Sequence, residues 1–386
     1  MKIAFIAPDG LSVVLFCKTI LKTLKSIPNA EVIVICDAGD YGQEIECLGV
    51  KCVNIAAYRF FSITEDLKYL WKLKSFFSEH KVDIVFTFCT KQNIYGTLGA
   101  VIARVPKVYS HVVGLGIAFL ADKDLKGKII SGFTSVLYKL VGKVAKKIWF
   151  TNKNDLAFFL DNKFIDANKI VLTPNYLDVS DYKLDTISDE DIQEAKELCK
   201  ISPNEILIIM VARLIWAKGI KEFVETAINL HKSRPEIKFI LVAPEESGSF
   251  GAVPTEYVLE AEGKANFMWL GFQRKVKPIY AIANLAVLPT FYKEGGYPRA
   301  LLEPMAMGKP VITTDSEDCR GAIEDGRNGY LIPIRNSKAL EDAIIKILGN
   351  ETIIKEFGAY SRVKAVRDFD ESTIVPEALR QMELVS

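Results

Sequence analysis

Two glutamates enclose a glycine-rich turn in the last third of the chain, and this turn carries the strongest chemical signal in the sequence. Glu294 and Glu303 surround the residues Gly-Gly-Tyr-Pro-Arg, and apolar runs lie on either side at 285–288 and 310–313. A strand, a glycine-rich loop and a helix start form an anion site, because free N–H groups and the helix dipole point at one spot. Carboxylates do not bind an anion, so we expect them to accept hydrogen bonds from hydroxyl groups attached to it. A phosphate with hydroxyl groups on both sides describes a nucleotide sugar.

Two cations follow another apolar run earlier in the chain. The run 206–211 ends before Arg213 and Lys218, and Gly219 then leads into an amphipathic stretch at 222–231. Two cations at the carboxyl end of a strand can hold a diphosphate and offset the charge that develops when it leaves. Taken alone, the loop also fits an ordinary strand–helix connection with solvated charges.

Short apolar runs alternate with amphipathic stretches along the chain, which predicts βαβ units and parallel sheets. The predicted strands are 3–7, 31–36, 50–54, 84–88, 108–111, 148–151, 206–211, 239–243, 266–270, 285–288, 311–314 and 329–332. The predicted helices are 14–24, 63–77, 94–103, 129–144, 222–231, 277–283, 299–307 and 338–348. The fold class is therefore α/β, with two doubly wound domains whose ligands lie at the carboxyl ends of the strands, in a cleft.

The alternation stops in a polar, acidic stretch, which marks the expected domain boundary. We predict an N-terminal domain at 1–175, a linker at 176–204 with a short helix at 190–198, and a C-terminal domain at 205–360. The last segment, 361–386, is expected to be helical and able to cross back to the N-terminal domain.

Composition excludes several functions. The 386 residues include 49 basic and 48 acidic side chains, so the net charge of +1 argues against a general nucleic-acid binder. Seven cysteines form no Cys-x-x-Cys pair and no cluster with histidine, which is typical of reduced thiols in the cytosol. No apolar run approaches the roughly 20 residues that a membrane-spanning helix needs, and no Asp-x-Asp pair ends a strand.

The motifs together carry a family resemblance, which is densest over 206–334. They are Arg213-x4-Lys218-Gly219, Leu270-Gly271-Phe272, Lys293-Glu294-Gly295, Leu302-Glu303 and Met305-Ala-Met-Gly308-Lys-Pro310. The chain resembles the retaining glycosyltransferases of the large bacterial family 4. This resemblance implies the GT-B fold, with two Rossmann-like domains facing a cleft, a UDP-sugar donor, and no metal or other cofactor.

The resemblance also implies roles for the donor-site residues. Arg213 and Lys218 would bind the donor diphosphate, and Glu303 the ribose hydroxyl groups. Glu294 would contact the transferred sugar. Its neighbours in the donor site would be Gly295, Gly296, Tyr297 and Pro298, with backbone N–H groups near Ala300 and Leu301 on the phosphate.

One departure from the family pattern concerns the two glutamates. Seven residues usually separate them, whereas eight lie between Glu294 and Glu303 here. We place the extra residue within 295–297, where two glycines make a bulge sterically easy, and expect a reshaped pocket for the donor sugar.

The first half of the chain offers candidate acceptor-binding residues. Gly10 and Ser12 follow the first strand, and Lys91 and Asn93 stand at a helix start, where a lysine suits a diphosphate. His111 ends a strand and is expected to orient the acceptor or the donor sugar, completing a catalytic set with Glu294, Arg213 and Lys218. The alternatives are plain turn chemistry at residue 10, a solvated cap at residue 91 and a packed histidine at residue 111.

Two features of this half point to a lipid acceptor. The segment 91–96 and the turn 114–116 are similar to family 4 enzymes that extend sugars on polyprenyl diphosphate in N-glycan, capsule or O-antigen assembly. Such enzymes transfer sugars such as N-acetylhexosamines. Basic amphipathic stretches at 68–77 and 126–148 favour contact with the inner face of the cytoplasmic membrane, although helices packed on the sheet with solvated lysines would look the same. We therefore expect a cytoplasmic enzyme associated peripherally with the inner membrane.

Two other classes remain compatible with this architecture. A UDP-sugar epimerase would need acid and base side chains around the sugar, and the chain has only three histidines. A non-catalytic sugar-nucleotide binder is allowed by the altered glutamate spacing. Turnover with a lipid-linked acceptor separates the three classes.

Overall fold

The computed structural model describes residues 1–58, 62–114, 125–249 and 251–385, without the side chains of 125–127 and 129. The chain forms two compact units, one comprising 1–174 and 371–386 and the other 175–370. Both are α/β units built on a parallel sheet, so the predicted fold class is confirmed.

The first unit contains a seven-stranded sheet in the order β3-β2-β1-β4-β5-β6-β7, and every neighbouring pair is parallel. Strands β1 to β7 are Lys2–Asp9, Glu31–Asp37, Lys51–Asn54, Ile84–Phe88, Lys107–Val112, Lys147–Phe150 and Ile170–Leu172. The sequence pattern missed β7, because this strand has three residues and only Val171 is buried. The other six strands agree with the prediction to within a few residues at each end.

Helices cover this sheet and supply the apolar side chains that pack on it. Helices α1 to α7 are Gly10–Ser12, Lys18–Lys25, Gly42–Glu46, Ile63–His80, Thr90–Ile102, Leu125–Val144 and Lys153–Asp161. A π-helical turn, Val13–Cys17, joins α1 to α2. The last helix of the chain, α16 (Glu371–Gln381), also belongs to this unit and packs on α2, with Val375 and Leu379 buried.

The second unit contains a six-stranded parallel sheet in the order β10-β9-β8-β11-β12-β13. Strands β8 to β13 are Ile206–Val211, Ile237–Val242, Phe267–Trp269, Leu285–Leu288, Val311–Thr314 and Gly329–Ile332. Helices α8 to α15 are Asp189–Leu198, Ile220–His231, Thr255–Glu262, Lys277–Ile282, Arg299–Ala306, Glu317–Arg320, Ser337–Leu348 and Glu351–Phe369. The central strands are buried along nearly their whole length, which is typical of a parallel sheet covered on both faces.

The expected linker at 176–204 is instead part of the second unit. Leu177, Tyr182 and Ala195 are buried in its hydrophobic core, and the Leu177 N–H donates to the carbonyl oxygen of Phe369 at 3.0 Å. The apolar residues of this segment are isolated between polar ones, so their burial leaves no periodic pattern in the sequence. The short helix predicted at 190–198 is confirmed as α8.

Within the described ranges, none of the helices combines the length and the apolar composition that crossing a bilayer requires.

Candidate active site

The order of strands in the second sheet reverses between β8 and β11, which lie side by side with Ile208 opposite Leu285. The chain runs outward from β8 to β10 on one side and from β11 to β13 on the other. Loops that leave adjacent strands at such a reversal diverge and leave a crevice at the carboxyl ends, where open α/β sheets bind ligands. Arg213 and Lys218 follow β8, and Glu294 follows β11.

Backbone contacts hold the two loops together. The Phe291 N–H donates to the carbonyl oxygen of Ala217 at 2.8 Å, and the Thr290 hydroxyl oxygen lies 3.2 Å from the same carbonyl oxygen. Gly219 has a φ of +82°, and a Cβ placed there would lie 2.2 Å from the carbonyl oxygen of Pro289. Only glycine satisfies both conditions, so the Lys-Gly pair allows the close approach of the loops.

This approach brings the predicted cations and the first glutamate together. Lys218 donates to Glu294 Oε2 at 2.5 Å, and the Thr290 hydroxyl donates to Glu294 Oε1 at 2.7 Å. The Tyr292 ring lies beside both cations, 5.0 Å from the Arg213 guanidinium and 5.1 Å from the Lys218 ammonium. The structure therefore joins all three residues expected to handle the diphosphate and the sugar.

The two glycines after Glu294 both adopt backbone conformations that other residues rarely adopt. Gly295 and Gly296 have φ values of +71° and +118°. The Glu294 N–H donates to Asp318 Oδ2 at 2.8 Å. Burial raises the pKa of Asp318, whereas hydrogen bonds from the backbone of Glu294, Gly295 and Gly296 act to lower it.

The second glutamate lies in α12, which starts directly after Pro298. The Leu301 N–H bonds back to the Pro298 carbonyl oxygen at 2.9 Å, in the first turn. Arg299 donates through Nε to Glu303 Oε1 at 3.0 Å. Glu303, expected to hold ribose hydroxyl groups, is thus engaged with a cation of its own helix, and Ala300 lies in the turn between them.

Arg299 also reaches the segment that the sequence assigned to a linker. Its guanidinium donates to the Tyr182 hydroxyl at 3.4 Å. Burial, followed by the charge of Glu303, raises the pKa of Tyr182 above its ordinary value.

Two predicted acceptor residues in the first unit, Lys91 and Asn93, have structural contacts of their own. Lys91 pairs with the buried Asp66 at 2.5 Å and donates to the Tyr58 carbonyl oxygen at 2.7 Å, which ties α5 to α4. Asn93 is fully buried, accepting from Thr87 at 2.7 Å and donating to the carbonyl oxygen of His111 at 3.0 Å. The buried Asn93 side chain therefore does not face an acceptor, whereas Lys91 is partly exposed and its acceptor role stays a prediction.

His111 is a core residue rather than a surface one. Its ring is fully buried and stacks on Trp149 at 4.0 Å, with the rings nearly parallel, and Phe88 meets it edge-on. Burial lowers the pKa of His111 to about 3, so the imidazole is neutral near pH 7. We therefore assign His111 to packing in the core, which was the alternative to orienting the acceptor or the donor sugar.

The turn after β1 is ordered by its own side chains. The Ser12 N–H donates to Asp9 Oδ1 at 2.7 Å, and Gly10 is buried where a Cβ would lie 2.4 Å from the Ala38 carbonyl oxygen. Gly10 is thus required by close packing, while Ser12 remains partly exposed. Residues 115 and 116 of the predicted turn at 114–116 lie outside the described residues.

Sequence reasoning missed several residues around the donor loops. Thr290 and Tyr292 lie just before the Lys293-Glu294-Gly295 motif, but their types alone indicate no contact. Asp318 and Tyr182 lie 24 and 117 positions from their partners, Glu294 and Arg299, and no local pattern links them. Among the residues that the structure describes, no group of three or more His, Cys, Asp and Glu side chains is placed to hold a metal ion.

The class of the protein follows from this geometry and from comparison with known families. Residues 191–364 match the family described as "Glycosyl transferases group 1". Residues 191–364 therefore form a group 1 glycosyltransferase domain, in agreement with the resemblance, and the two parallel-sheet units have the GT-B fold.

Two curated relatives cover all or most of the chain. It is 29% identical over 392 residues, 100% of this chain and 99% of the relative, to the N,N'-diacetylbacillosaminyl-diphospho-undecaprenol alpha-1,3-N-acetylgalactosaminyltransferase of Campylobacter jejuni. It is 23% identical, over 80% of both chains, to the UDP-Gal:alpha-D-GlcNAc-diphosphoundecaprenol alpha-1,3-galactosyltransferase of Escherichia coli. Among solved structures, Anabaena HepE in complex with UDP-glucose matches with a TM-score of 0.78, 18% identity and 99% coverage of both chains.

Proposed function

We propose that this enzyme transfers a sugar, with retention of anomeric configuration, from a UDP-sugar to a saccharide carried on polyprenyl diphosphate. The observation that carries the proposal is the meeting of Arg213, Lys218 and Glu294 at the carboxyl ends of β8 and β11. Two curated relatives, one of them matched over its whole length, are named for acting on sugars linked to diphospho-undecaprenol, which supports the acceptor class.

In this proposal the two cations neutralise the leaving group. Arg213 and Lys218 bind the diphosphate, and the start of α12 contributes the positive end of its dipole and the N–H of Ala300, because the expected Leu301 N–H is already bonded to Pro298. Glu294 accepts hydrogen bonds from the transferred sugar, and Glu303 accepts them from the ribose. Both carboxylates have partners in this structure, so donor binding exchanges Lys218 and Arg299 for hydroxyl groups of the substrate.

The transfer step needs no side-chain base. The bond between the anomeric carbon and the phosphate oxygen breaks, and the acceptor hydroxyl oxygen bonds to that carbon on the same face. The hydroxyl proton moves to the departing phosphate oxygen, and UDP leaves. Burial of His111 agrees with this route, since the imidazole has no part in it.

The donor sugar is proposed to be an N-acetylhexosamine, with N-acetylgalactosamine first, because the full-length Campylobacter relative is an N-acetylgalactosaminyltransferase. Transfer is proposed to be independent of metal ions. In the first unit, the partly exposed Ser12 and Lys91 remain the candidate acceptor contacts, whereas Gly10 is buried.

We further propose that α6 contacts the inner face of the cytoplasmic membrane, where a polyprenyl-linked acceptor resides. Its exposed stripe of apolar side chains is flanked by the exposed Lys139 and Lys143, while Tyr138 and Val141 face the core. The members of the stripe, each at least 40% exposed, are Phe133, Val136, Leu140 and Val144. Apolar side chains beside lysines bind anionic lipid, at roughly 1 kcal/mol for each lysine near the surface.

Vesicle binding tests the membrane contact. Val136→Glu should reduce co-sedimentation with vesicles containing anionic phosphatidylglycerol, whereas Val363→Glu, at an exposed valine of the second unit, should not. Equal binding of both variants and the wild type would overturn the assignment of α6.

The decisive experiment is a transfer assay with a panel of UDP-sugars and a polyprenyl-diphosphate monosaccharide, run with and without EDTA. We expect one UDP-N-acetylhexosamine to yield a new glycolipid at the same rate in both conditions, with the anomeric configuration retained in the product. An epimerised UDP-sugar without glycolipid would replace the transferase with an isomerase, and tight binding without any product would indicate a sugar-nucleotide binder. Loss of activity in EDTA would refute metal independence alone.

A further inference from the structure

The glycine turn after Glu294 lies against one carboxylate beside the donor loops. The Glu294 N–H donates to Asp318 Oδ2 at 2.8 Å, and the backbone of Gly295 and Gly296 acts to lower the pKa of this carboxylate, which burial raises. Successive N–H groups in a chain that passes through left-handed glycines form a concavity that binds anions. In this protein an aspartate of the chain itself fills the concavity.

Two contacts fix the position of α13, the helix that carries Asp318, relative to the turn at 295–297. Cys319 of α13 is fully buried, which fixes the helix to the core. At the other end of the turn, the Tyr297 phenol lies against Gly321, where a Cβ would be 1.9 Å from its oxygen. The connection after β12 therefore contacts both Glu294 and Tyr297. These two residues lie at the ends of the segment in which we place the extra residue.

We propose that Asp318 is a positioning residue of the donor site, whose carboxylate fixes the Gly295–Gly296 turn and so places Glu294 against the transferred sugar. The inference rests on the proposed contact between Glu294 and that sugar. Asp318 itself does not touch the substrate in this proposal, because its hydrogen bonds go to the turn.

The charge of Asp318 also favours the sugar over the diphosphate of the donor at this turn. A phosphate would compete with this carboxylate for the N–H groups of the turn and would be repelled by it. Arg213 and Lys218, beside the Tyr292 ring, offer the phosphates a cationic alternative. The turn therefore lies beside the uncharged sugar in this proposal. Its N–H groups bond to Asp318 and not to the sugar hydroxyl groups.

Asp318→Asn tests the proposal, with Glu317→Gln as the matched control. Glu317 is the preceding residue of the same short helix and is exposed, so the control makes the same charge change without touching the turn. We expect Asp318→Asn to bind UDP within about twofold of wild type. Loss of a charge-assisted contact to the turn should lower kcat/KM for the UDP-sugar about 10- to 100-fold and reduce the preference between two UDP-sugars that are C4 epimers. The control should match the wild type in all three.

Amide hydrogen exchange measures directly whether the turn at 294–296 loosens when the Asp318 carboxylate is removed. The peptide that contains residues 294–296 should exchange faster in Asp318→Asn than in wild type, while peptides from β8 should not change. If the asparagine variant does not fold, Asp318→Glu keeps the charge and should retain slow exchange with partial activity. Unchanged exchange and an unchanged epimer preference would overturn the role of Asp318, as would a parallel loss of UDP affinity.

Glu294→Gln separates this inference from the proposed function beneath it. If Glu294→Gln transfers sugar at the wild-type rate, the proposed contact of Glu294 fails whatever Asp318 does. If Glu294→Gln is inactive and Asp318→Asn is fully active, the contact stands and the positioning role fails.

Discussion

Replacing Lys218 with methionine should destabilise the second unit and also abolish transfer. The side chains of Lys218 and Glu294 are only 11% and 6% exposed, and they meet at 2.5 Å. Removing the ammonium leaves the Glu294 carboxylate nearly buried with the Thr290 hydroxyl as its remaining side-chain donor. Breaking a buried pair from one side costs about 3 kcal/mol, which we expect as the loss in the free energy of unfolding.

A second substitution should restore the stability without restoring the activity. Glu294→Gln in the Lys218→Met background removes the uncompensated charge, and the amide can still accept from Thr290. We expect the double variant to recover at least half of the lost free energy and to remain inactive, because the diphosphate still lacks a cation. The control is Lys221→Met, where an exposed i,i+4 pair with Glu225 at 3.7 Å should contribute less than about 0.5 kcal/mol.

Urea unfolding at pH 7 measures these differences. Trp216 and Trp269 lie in the second unit and report its transition, which is fitted separately from that of the first unit. The reasoning is refuted if Lys218→Met is as stable as Lys221→Met, since the carboxylate would then have found solvent or another partner. It is also refuted if the double variant is less stable than either single variant.

Three further outcomes are expected. Gly219→Ala should lower activity at least tenfold and stability by about 2–4 kcal/mol in urea unfolding, because it combines a left-handed φ with a clash against Pro289; wild-type activity would contradict this. The hydrogen bond from Tyr360 and the nearby cations lower the pKa of Glu324 from 4.5 to about 2, so stability from this group is complete above pH 4.5 and lost as the pH falls to 2. Tyr360→Phe should cost about 1 kcal/mol at pH 7 and less at pH 3, and an equal cost at both would argue against it. Burial lowers the pKa of Lys309 from 10.5 to about 8, so the folded chain releases this proton first and stability rises between those pH values; Lys309→Met should flatten that rise in thermal unfolding.

The fold was largely predictable because most strands and helices have a recognisable local pattern of apolar and polar residues. Continuous apolar runs marked twelve of the thirteen described strands, and the parallel sheets followed from their alternation with helices. The missed strand β7 has too few buried residues to form such a run. The segment 176–204 was misassigned because its burial depends on single residues, such as Leu177, that fill gaps in a distant core.

The sequence predicted the position of the donor loops better than the surroundings of the acceptor residues. Arg213, Lys218 and Glu294 belong to short motifs that follow β8 and β11, and these neighbouring parallel strands end at the same edge of the sheet. Lys91 and Asn93 also lie near a strand end, but tertiary partners, Asp66 and Thr87, engage their side chains. Residue type and position give no warning of such partners, since these belong to other elements.

The assignment of α16 to the first unit has a consequence for how the protein is made. The second unit is a continuous stretch of chain, whereas the first unit needs residues 371–386 to complete its core, including the fully buried Leu379 and Met382. The Thr19 hydroxyl also bonds to the Glu371 carboxylate at the start of that helix. During synthesis, the half of the protein that emerges first from the ribosome is therefore the half that finishes folding last. Until then it exposes the apolar face that α16 later covers, which makes this interval the one in which a chaperone matters most.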